Sequence, residues 1–593
     1  MGAPAPDSPA LTAWDLPLFP AVQASTEFHE WLWMYDPAAA TPQQKEAWRR
    51  ADKYSLAEIS VLTDQESFYG RRRAFRIAEI ARSLRRVFRA ASGFSAVELA
   101  YVLTHSTNAS AIAADVLAEA QWHASGGGLS PFNGCRILHS LAWAIESLAG
   151  EDAVSLAHLL PGLGQALSPA QREWLAGRGM GIDDATGAQV WCRQVKAEAF
   201  AAQGRAILFS VSRPAPLAVS PLRSDEIVWG RAPARLDLGG GWSDTPPYTL
   251  ERGGAVINAA ICLNGQPPIH AYARLTRDPV IRIASIDVGT RVELTSLDEL
   301  LNYNNARDEF ALVKAALAMS GLSPAAASWP EGTTLQHMLE TLGGGIELTT
   351  LAAIPKGSGL GTSSIVGAVV LAVVQRVLGK SLTPQELFHG VLRLEQALTT
   401  GGGWQDQIGG AVDGVKVITT APGLVPDPRI HYVPADVLDP EANGGCTLVY
   451  YTGLTRLAKN ILQQVVGRYL DRDREAMNTL AQIHALPPLT AQAMARKDLA
   501  GFGKLIDRAW RLNKQLDPAS SNETVEAILA GLGPHIHGAK LLGAGGGGFL
   551  LIVCKSPADA ANVRHLLETQ PPNPRARFFE FNIDLQGLVV TTC

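Results

Sequence analysis

Cysteine is scarce in this sequence, and its six cysteines form no CxxC motif and no paired spacing. In a chain of 593 residues this pattern argues against a disulfide framework and a cysteine-rich zinc site, and it favours a reducing compartment. A membrane span is missing as well, because the longest apolar run, Ile365 to Val374, is about half the length that a spanning helix needs. The first residues lack the basic segment and the apolar core of a signal peptide. We therefore expect a soluble cytoplasmic protein.

An excess of positive charge is also absent, since the formal net charge is −5, with 18% charged and 47% hydrophobic residues. These values are ordinary for a globular protein and predict binding to neither nucleic acid nor membranes. One local exception runs from Arg71 to Arg89 and contains eight arginines. Its apolar residues share one helical face, so a solvated or domain-contacting helix is favoured, although an anion-binding role stays open.

The periodicity of apolar residues divides the chain into regions. Residues 1–25 are rich in proline and alanine and are expected to be irregular. Residues 26–212 follow a helical period almost throughout, which predicts an all-helical domain. After a proline-rich linker from Arg213 to Pro221, the pattern becomes mixed, with short strand-like segments between helices.

Glycine is plentiful by contrast, and one dense stretch runs from Pro355 to Ser364; we name it the glycine-rich turn. The turn follows a strand-like segment and precedes an apolar helix, so its free N–H groups would lie at a helix N-terminus. Its three glycines would let a phosphate approach those donors. The Walker A sequence GxxxxGK[ST] is absent. A turn that binds no ligand remains the alternative.

Three stretches with related composition follow one another in the second half of the chain. They are residues 231–248 (RAPARLDLGGGWSDTPPY), the glycine-rich turn, and residues 538–553 (GAKLLGAGGGGFLLIV). The third matches the dinucleotide-binding fingerprint GxGxxG, but a strand-like segment follows it where a helix would be required. In this order and at these separations, the three stretches resemble motifs 1, 2 and 3 of the GHMP small-molecule kinases.

This resemblance covers about residues 225–593 and implies an α+β fold with two lobes. The N-terminal lobe would be ribosomal-protein-S5-like over residues 223–425, and the C-terminal lobe would be ferredoxin-like over residues 426–593. The all-helical domain would precede them. Kinases of this family transfer the γ-phosphoryl group of ATP with the help of Mg²⁺, so ATP and Mg²⁺ are the implied cofactors.

The resemblance also implies roles for single residues. The phosphates of ATP would be held by Lys356, Gly357, Ser358, Gly359, Leu360, Gly361, Thr362, Ser363, Ser364, Gly545 and Gly546. Ser363 and Glu395 would hold Mg²⁺. Asp406 would be the base and Arg235 its partner. The sugar would be contacted by Trp242, Asp244, Thr245, Gly402, Gly403 and Trp404. Without the resemblance, Glu395 is interpreted as a solvated helix residue and Asp406 as a turn residue.

The resemblance also indicates which sugar is the substrate. L-fucose kinases, as found in bifunctional fucokinase/GDP-fucose pyrophosphorylases, are similar to this sequence at residues 236–248, 401–410 and 450–460. Gly241 and Trp242 stand where galactokinases carry Glu and His. This change suits a 6-deoxy sugar, in which a methyl group replaces a hydroxyl. The implied activity is ATP-dependent phosphorylation of the anomeric hydroxyl of L-fucose.

Two other functions stay open. A related sugar kinase, such as a heptose-phosphate kinase, would need a basic pocket for a second phosphate, which the first motif does not visibly supply. A non-catalytic sugar or nucleotide sensor would be expected to lack Asp406, Glu395 or Ser363. The segment near Leu16 to Pro20 looks like the join to a pyrophosphorylase half, whose activity we do not expect here. Possible partners are therefore a second copy of the chain or a separate pyrophosphorylase.

Overall fold

The computed structural model describes most of the chain. The described residues are 14–21, 31, 33, 34, 38, 40–62, 69–78, 80, 88, 96–106, 108–125, 132–151, 153–182, 187–208, 218–305, 308–324, 326, 327, 329–355, 357–398, 402–423, 426–454, 459–543 and 545–593. Lys356, a predicted ATP contact, lies outside them, as does much of the arginine-rich stretch. Among the described residues, no helix combines the length and the apolar character needed to cross a membrane.

The region before residue 209 is built from helices around one apolar core. Helices Phe132–Glu151 and Ala188–Leu208 pack against each other along their lengths. Thr41 and Ser168 begin their helices with capping boxes and a proline in the first turn, which satisfies the free N–H groups there. The helices are Pro42–Arg50, Leu56–Leu62, Ala96–His105, Ala109–Ala124, Phe132–Glu151, Ala153–Ala166, Pro169–Ala176 and Ala188–Leu208.

One feature of this region differs from the prediction. Residues Phe19–Pro20 pair antiparallel with Lys53–Tyr54. The first 25 residues are therefore not irregular throughout, and the predicted all-helical domain contains a short strand. Two-residue strands are too short to produce an alternating pattern, so the sequence could not reveal them.

The region after residue 217 contains three sheets, and the first has six strands. Its order is Val589–Thr592, Val228–Ala232, Ile269–Thr276, Gly345–Ala352, Ile281–Ser285 and Thr290–Leu294. Only the contact between Ile281–Ser285 and Gly345–Ala352 is parallel among these described strands. Helix Thr362–Val377 packs on one face of this sheet and buries the apolar run noted above.

The second sheet has five strands around the long buried strand Gly254–Leu263. Its order is Arg429–Val433, Val415–Thr420, Gly254–Leu263 and Phe581–Ile583, with Ala234–Gly239 also pairing with Gly254–Leu263. The third sheet has the order Ile536–Leu541, Phe549–Cys554, Thr447–Tyr451 and Arg577–Phe579. Helix Leu499–Leu516 packs on its first strand.

The other helices of this region cover the sheets and connect them. They are Tyr248–Arg252, Leu297–Leu301, Ala311–Met319, Leu335–Leu342, Thr362–Val377, Pro384–Ala397, Gln405–Ala411, Lys459–Leu470, Arg474–His484, Leu486–Ala495, Leu499–Leu516, Glu523–Leu532 and Pro557–Thr569. Helices and largely antiparallel sheets are both present, so the architecture is α+β.

The predicted boundary between the two lobes does not separate the sheets. Strand Arg429–Val433 and strands Phe581–Ile583 and Val589–Thr592 all belong to sheets of the first lobe, although the prediction assigned them to the second. The end of the chain thus returns to the first lobe. Hydrophobic patterns identify strands but not their partners, so this exchange could not be read from the sequence.

The helical region contacts the second half of the chain directly. His139 Nδ1 lies 2.9 Å from Asp471 Oδ1, and the backbone N–H of Ala96 donates to the carbonyl of the same Asp471 at 3.0 Å. Helix Ala188–Leu208 also packs against Pro384–Ala397. The helices are therefore attached to the second half of the chain by hydrogen bonds and by helix packing.

Candidate active site

Strand Ala234–Gly239 carries the first two charged residues of the site. Every residue of this strand is buried, including Arg235 and Asp237. Because side chains two apart on a strand point the same way, both charges face one side of it. The strand ends at Gly240, whose φ of +86° and close approach to the carbonyl of Ala255 exclude a larger residue.

Arg235 pairs with Asp406. The Arg235 Nη2 donates to Asp406 Oδ1, in an ion pair where the arginine is buried and the aspartate side chain is 33% exposed. Asp406 lies in the first turn of helix Gln405–Ala411, where the helix dipole favours a negative charge. The predicted base and Arg235 are therefore in contact, while their catalytic roles stay a prediction.

Asp406 also lies beside the glycine-rich turn. A Cβ added at Gly361 would lie 3.0 Å from the carboxylate carbon of Asp406. Gly361 is the N-cap of helix Thr362–Val377 and has a φ of +73°, which a side chain would strain. The carboxylate of Asp406 thus stands next to the start of the helix that we expect to receive phosphate.

The burial of Arg235 has an electrostatic consequence. Burial lowers the pKa of Arg235, whereas the carboxylates of Asp237 and Asp244 raise it. Its Nε and Nη1 have no hydrogen-bond partner among the described residues. The guanidinium therefore has donors left over after it pairs with Asp406.

Asp244 is held by backbone N–H groups from both sides of the site. Its Oδ1 accepts from the N–H of Trp242 and its Oδ2 from the N–H of Gln405, each at 3.1 Å. Burial raises the pKa of Asp244 to about 6, although the Gln405 N–H and Arg235 lower it. A Cβ added at Gly403 would collide with Asp244 Oδ2, so these two predicted sugar contacts do lie together.

Glu395 is buried near the end of helix Pro384–Ala397 and accepts a hydrogen bond from Ser364 Oγ. Burial raises the pKa of Glu395 to about 7; the Ser364 hydroxyl lowers it and Asp244 raises it. The predicted partner was Ser363, but Ser363 is exposed and Ser364 is the serine that meets the carboxylate. A helix turns by about 100° per residue, so neighbouring serines point to different sides.

The backbone of the glycine-rich turn packs against the backbone of a second glycine-rich turn, residues 542–548 of the third motif. A Cβ at Gly359 would collide with the carbonyl of Leu542, and one at Gly543 would lie 2.8 Å from the Cα of Gly359. A Cβ at Gly548 would collide with the carbonyl of Ser358. The two turns therefore form a single surface.

Gly545 and Gly546, the other predicted ATP contacts, lie against the residues that follow helix Leu499–Leu516. The N–H of Gly546 donates to the carbonyl of Ser520 at 2.5 Å, and a Cβ at Gly545 would lie 2.8 Å from the Ser520 Cβ. Asn522 Nδ2 donates to the carbonyl of Gly546 at 3.1 Å. These contacts fix the backbone of the third motif in place.

The hydrogen-bond donors around the glycine-rich turn fit a nucleoside triphosphate with Mg²⁺. Ser358 Oγ and Thr362 Oγ1 are buried and have no hydrogen-bond partner in the part of the chain that the structure describes. Mg²⁺ commonly takes one or two protein carboxylates and completes its shell with phosphate oxygens and water. Accordingly, the described residues contain no group of three or more His, Cys, Asp or Glu that could hold a metal alone. Glu395 supplies one suitable carboxylate.

The two predicted aromatic contacts for the sugar do not present open faces. Trp404 is 1% exposed, and its Nε1 donates to Thr249 Oγ1 at 3.0 Å. Trp242 has a φ of +85° and packs in an apolar cluster with Tyr248 and Tyr469. Both tryptophans therefore pack in the interior beneath the site and do not offer a ring face to a ligand. Aromatic side chains near glycines suggested binding, but burial of their large apolar surface decided their positions.

Several residues of the site were missed by the sequence analysis. One of them is Lys540, which forms a buried ion pair with Asp237. The side chains of Asn258 and Gln407 are buried with no hydrogen-bond partner among the described residues. A lysine inside the apolar strand Ile536–Leu541 was the one signal available for Lys540, because buried lysines need a partner.

Known protein families match the parts of the chain that form this site. Residues 331–414 match the family described as GHMP kinases N terminal domain, and residues 490–572 match GHMP kinases C terminal. The first match includes the glycine-rich turn, Glu395 and Asp406.

Three curated proteins show similarity over longer stretches. The chain is 42% identical over 370 residues to an L-fucokinase/L-fucose-1-P guanylyltransferase of Bacteroides fragilis, which covers 62% of this chain and 39% of that protein. It is 36% identical over 339 residues to a bifunctional fucokinase/GDP-fucose pyrophosphorylase of Arabidopsis thaliana, which covers 57% and 30%. A D-glycero-alpha-D-manno-heptose 7-phosphate kinase of Campylobacter jejuni is 26% identical over 326 residues, which covers 54% and 87%. The chain thus spans about a third of the length of the first two relatives.

Proposed function

Since this chain belongs to the GHMP kinase family, we propose that it transfers the γ-phosphoryl group of ATP to the anomeric hydroxyl of L-fucose. The products would be fucose 1-phosphate and ADP, in a salvage route toward GDP-fucose. The sugar is inferred from the similarity to two proteins described as fucokinases.

One observation carries the proposal for the chemistry. The carboxylate of Asp406 is partly exposed, pairs with Arg235 and stands beside Gly361 at the N-terminus of helix Thr362–Val377. In this position the Asp406 carboxylate would serve as a base beside a γ-phosphate held by backbone N–H groups. This arrangement suits phosphoryl transfer, in which positioning and charge stabilisation do most of the catalytic work.

In the proposed reaction, Asp406 accepts the proton of the anomeric hydroxyl. The sugar oxygen forms a bond to the γ-phosphorus while the bond from that phosphorus to the bridging oxygen of ADP breaks. Arg235 keeps the Asp406 carboxylate ionised beforehand, because a neighbouring cation favours the charged form. The N–H groups of the glycine-rich turn and the hydroxyls of Ser358 and Thr362 stabilise the phosphate oxygens.

Glu395, with Ser363 or Ser364, would hold the metal. When it is bound, Mg²⁺ supplies positive charge to the phosphate oxygens during transfer. The raised pKa of Glu395, about 7, reflects its burial and its proximity to Asp244. A cation at this position would favour the ionised carboxylate.

Asp244 is proposed to accept hydrogen bonds from sugar hydroxyls, together with the backbone around Thr245, Gly402 and Gly403. Its two backbone donors fix the orientation of the carboxylate before the sugar arrives. The buried Trp242 and Trp404 would act by supporting this wall. Sugar selection would then depend on the shape of the loop between Gly240 and Pro247.

A second candidate activity is phosphorylation of a heptose phosphate, which the 26% identity to a heptose 7-phosphate kinase favours. That substrate carries an extra phosphate and needs additional cations in the sugar pocket. Arg235 and Lys540 already bind carboxylates, and the buried Lys416 donates to the carbonyls of Gly409 and Gly414. These pairings support a neutral sugar.

The test is a panel of sugars with ATP and Mg²⁺, scored by ADP release and by ³¹P NMR of the product. L-fucose, D-galactose, D-mannose and a heptose 7-phosphate cover the candidates. We expect L-fucose to give the highest kcat/KM and an anomeric phosphate. Preference for the heptose phosphate would replace the proposed substrate. Binding of sugar or ATP without turnover would instead indicate a sensor.

The setting of the activity is proposed from the same similarity. We expect a cytoplasmic enzyme that uses ATP and Mg²⁺ and binds neither nucleic acid nor membranes. A separate pyrophosphorylase would consume the sugar 1-phosphate, and a homo-oligomer would be compatible with the sequence. Size-exclusion chromatography with light scattering would determine the oligomeric state.

A further inference from the structure

A buried ion pair joins the two glycine-bearing regions of the site. Lys540 Nζ donates to the carboxylate Oδ2 of Asp237 and, at 3.1 Å, to the carbonyl oxygen of the same residue. The two side chains are 1% and 3% exposed. Lys540 belongs to strand Ile536–Leu541 of the third sheet, whereas Asp237 belongs to strand Ala234–Gly239 of the second. The pair therefore connects two sheets through the interior.

The Asp237 carboxylate also has a second cation close to it. Asp237 and Arg235 lie two residues apart on the same buried strand, and the Asp237 carboxylate raises the pKa of Arg235. Arg235, two residues earlier on the strand, donates to Asp406 through Nη2 alone, and its Nε and Nη1 have no hydrogen-bond partner among the described residues. Asp237 Oδ1 likewise has none there. Two carboxylates can thus compete for one guanidinium.

Asp237 and Asp406 do not share the Arg235 guanidinium, because Asp237 has a cation of its own. Lys540 occupies Asp237 Oδ2, and this neutralises the buried charge from the far side. If Asp237 were left without Lys540, its buried charge would need another cation, since an unpaired buried carboxylate is costly. Arg235 is the cation already beside it, and its unused donors could make that contact.

We propose that Lys540 is a positioning residue for phosphoryl transfer: by holding the Asp237 carboxylate, it leaves the Arg235 guanidinium to Asp406. This role rests on the function proposed above, in which Asp406 is the base. Lys540 does not touch the reacting atoms; it acts through Asp237 and Arg235. The strand that carries it continues directly into Leu542, which contacts Gly359, so the same strand also supports the phosphate-binding turn.

The decisive variants are Lys540→Met, Asp237→Asn and the double variant. We expect Lys540→Met to lower kcat at least ~10-fold and to move the acidic limb of the kcat profile up by about one pH unit. The KM for ATP should change by less than about threefold. Asp237→Asn removes the competing carboxylate, so its acidic limb should stay at the wild-type pH. The double variant should return both kcat and the limb to within about threefold and about 0.3 pH unit of wild type.

Lys314→Met is the matched control. Lys314 forms a buried ion pair with Asp308 at 2.6 Å, in helix Ala311–Met319 and apart from the site. Its loss should lower the unfolding temperature without moving the acidic limb. If Lys540→Met does not fold, Lys540→Gln keeps a donor for Asp237 without the charge and should move the limb in the same direction by a smaller amount.

The proposal is overturned if a folded Lys540→Met or Lys540→Gln variant keeps the wild-type limb and kcat. It is also overturned if the double variant is no better than Lys540→Met. Should the wild-type enzyme phosphorylate no sugar, the proposed function fails by itself. Lys540 is then tested in the substrate-free protein by ¹³C NMR titration of the Asp406 carboxyl, assigned with Asp406→Asn. An unchanged titration midpoint in Lys540→Met would disprove the positioning role.

Discussion

Helix Phe132–Glu151 and strand Ala234–Gly239 both bury ionisable side chains, but those side chains meet different kinds of partner. On the helix, Arg136 and His139 lie toward the kinase region, where His139 pairs with Asp471. Most of the core of the helical region is apolar, and the buried Glu198 pairs with Arg178 and Arg205 inside that region. His139 thus attaches one region to the other, while Glu198 forms its ion pairs within one.

On the strand, the charges face one another across the candidate site. Arg235 pairs with Asp406 and Asp237 with Lys540, while Asp244 lies close enough to influence Arg235. Burying several charges in one place is costly unless their partners are complete. Here some donors and acceptors stay unused among the described residues. The difference lies in what the buried charges face: those of strand Ala234–Gly239 surround the candidate site, whereas His139 of the helical region faces Asp471.

Among the variants proposed here, removal of the base Asp406 should cause the largest loss of activity. Asp406→Asn keeps the shape of the side chain but cannot accept the proton, so kcat should fall at least ~100-fold, with a KM for sugar within about threefold. ADP release at saturating sugar and ATP measures it. Asp413→Asn, in the segment after the same helix, is the control and should keep near-normal kcat. A normal kcat with a lowered unfolding temperature in Asp406→Asn would show that the base lies elsewhere.

The buried Glu395 should make the unfolding free energy depend on pH. Its pKa is raised from 4.5 to about 7, so the folded state binds this proton more tightly than the unfolded state does. Its contribution to stability is therefore present below about pH 4.5 and lost as the pH rises through about 7. Relative to Glu395→Gln, the wild type should lose about 3 kcal/mol of unfolding free energy over this interval. Denaturant unfolding without Mg²⁺ and nucleotide measures the difference.

The same variant should need ~10-fold more Mg²⁺ for half-maximal activity, since it lacks the proposed metal carboxylate. Ser363→Ala and Ser364→Ala provide the comparison between the predicted serine and the one that contacts Glu395. A wild-type Mg²⁺ requirement in Glu395→Gln would reject the metal assignment. An equal effect of pH on the stability of both proteins would reject the electrostatic one.

Asp244 should give a smaller effect with a distinct pH signature. Burial raises its pKa to about 6, so the ionised carboxylate is lost as the pH falls through about 6. Asp244→Asn keeps one acceptor for the two backbone donors and should raise the KM for sugar ~10-fold. It should also remove a limb near pH 6 from the kcat/KM profile for sugar. A variant that keeps this limb would mean that another group titrates there.

The helical side of the comparison should respond least. His139→Ala leaves Asp471 without its buried partner, so the contact between the regions should weaken while kcat changes less than about twofold. Hydrogen exchange of the amides in helix Phe132–Glu151 reports this opening. His105→Ala, an exposed residue of the same region, is the control. A large loss of kcat without faster exchange would mean that the helices contribute to catalysis directly.

The fold was predictable where local patterns are strong. The helical period of residues 26–212 and the apolar helix after the glycine-rich turn agree with the described helices, and the GHMP kinase resemblance and the α+β class are confirmed. Strand Ala234–Gly239 was not identified, although apolar and charged residues alternate along it, because residues 231–248 were interpreted as one glycine-containing motif. The returning strands at the end of the chain could not be assigned, since pairing depends on distant residues.

The site was predictable where a motif fixes the backbone. The contact of Asp406 with Arg235 followed from the family pattern, and so did the position of Glu395 at a helix end. Side-chain direction was harder: Ser364 and not Ser363 meets Glu395, and Trp404 points into the core. Lys540 was not found because its partner, Asp237, is about three hundred residues away in sequence.

The backbone contact between the two glycine-rich turns constrains how this chain can be recombined with a relative. A Cβ at Gly359 would collide with the carbonyl of Leu542, and one at Gly543 would lie 2.8 Å from the Cα of Gly359, although the two turns lie far apart in the chain. In a chimera with a crossover between the two turns, each turn would come from a different parent protein, and their backbones would not be matched in shape. Substrate preference is therefore better transferred by exchanging the loop between Gly240 and Pro247, with both turns kept from one parent.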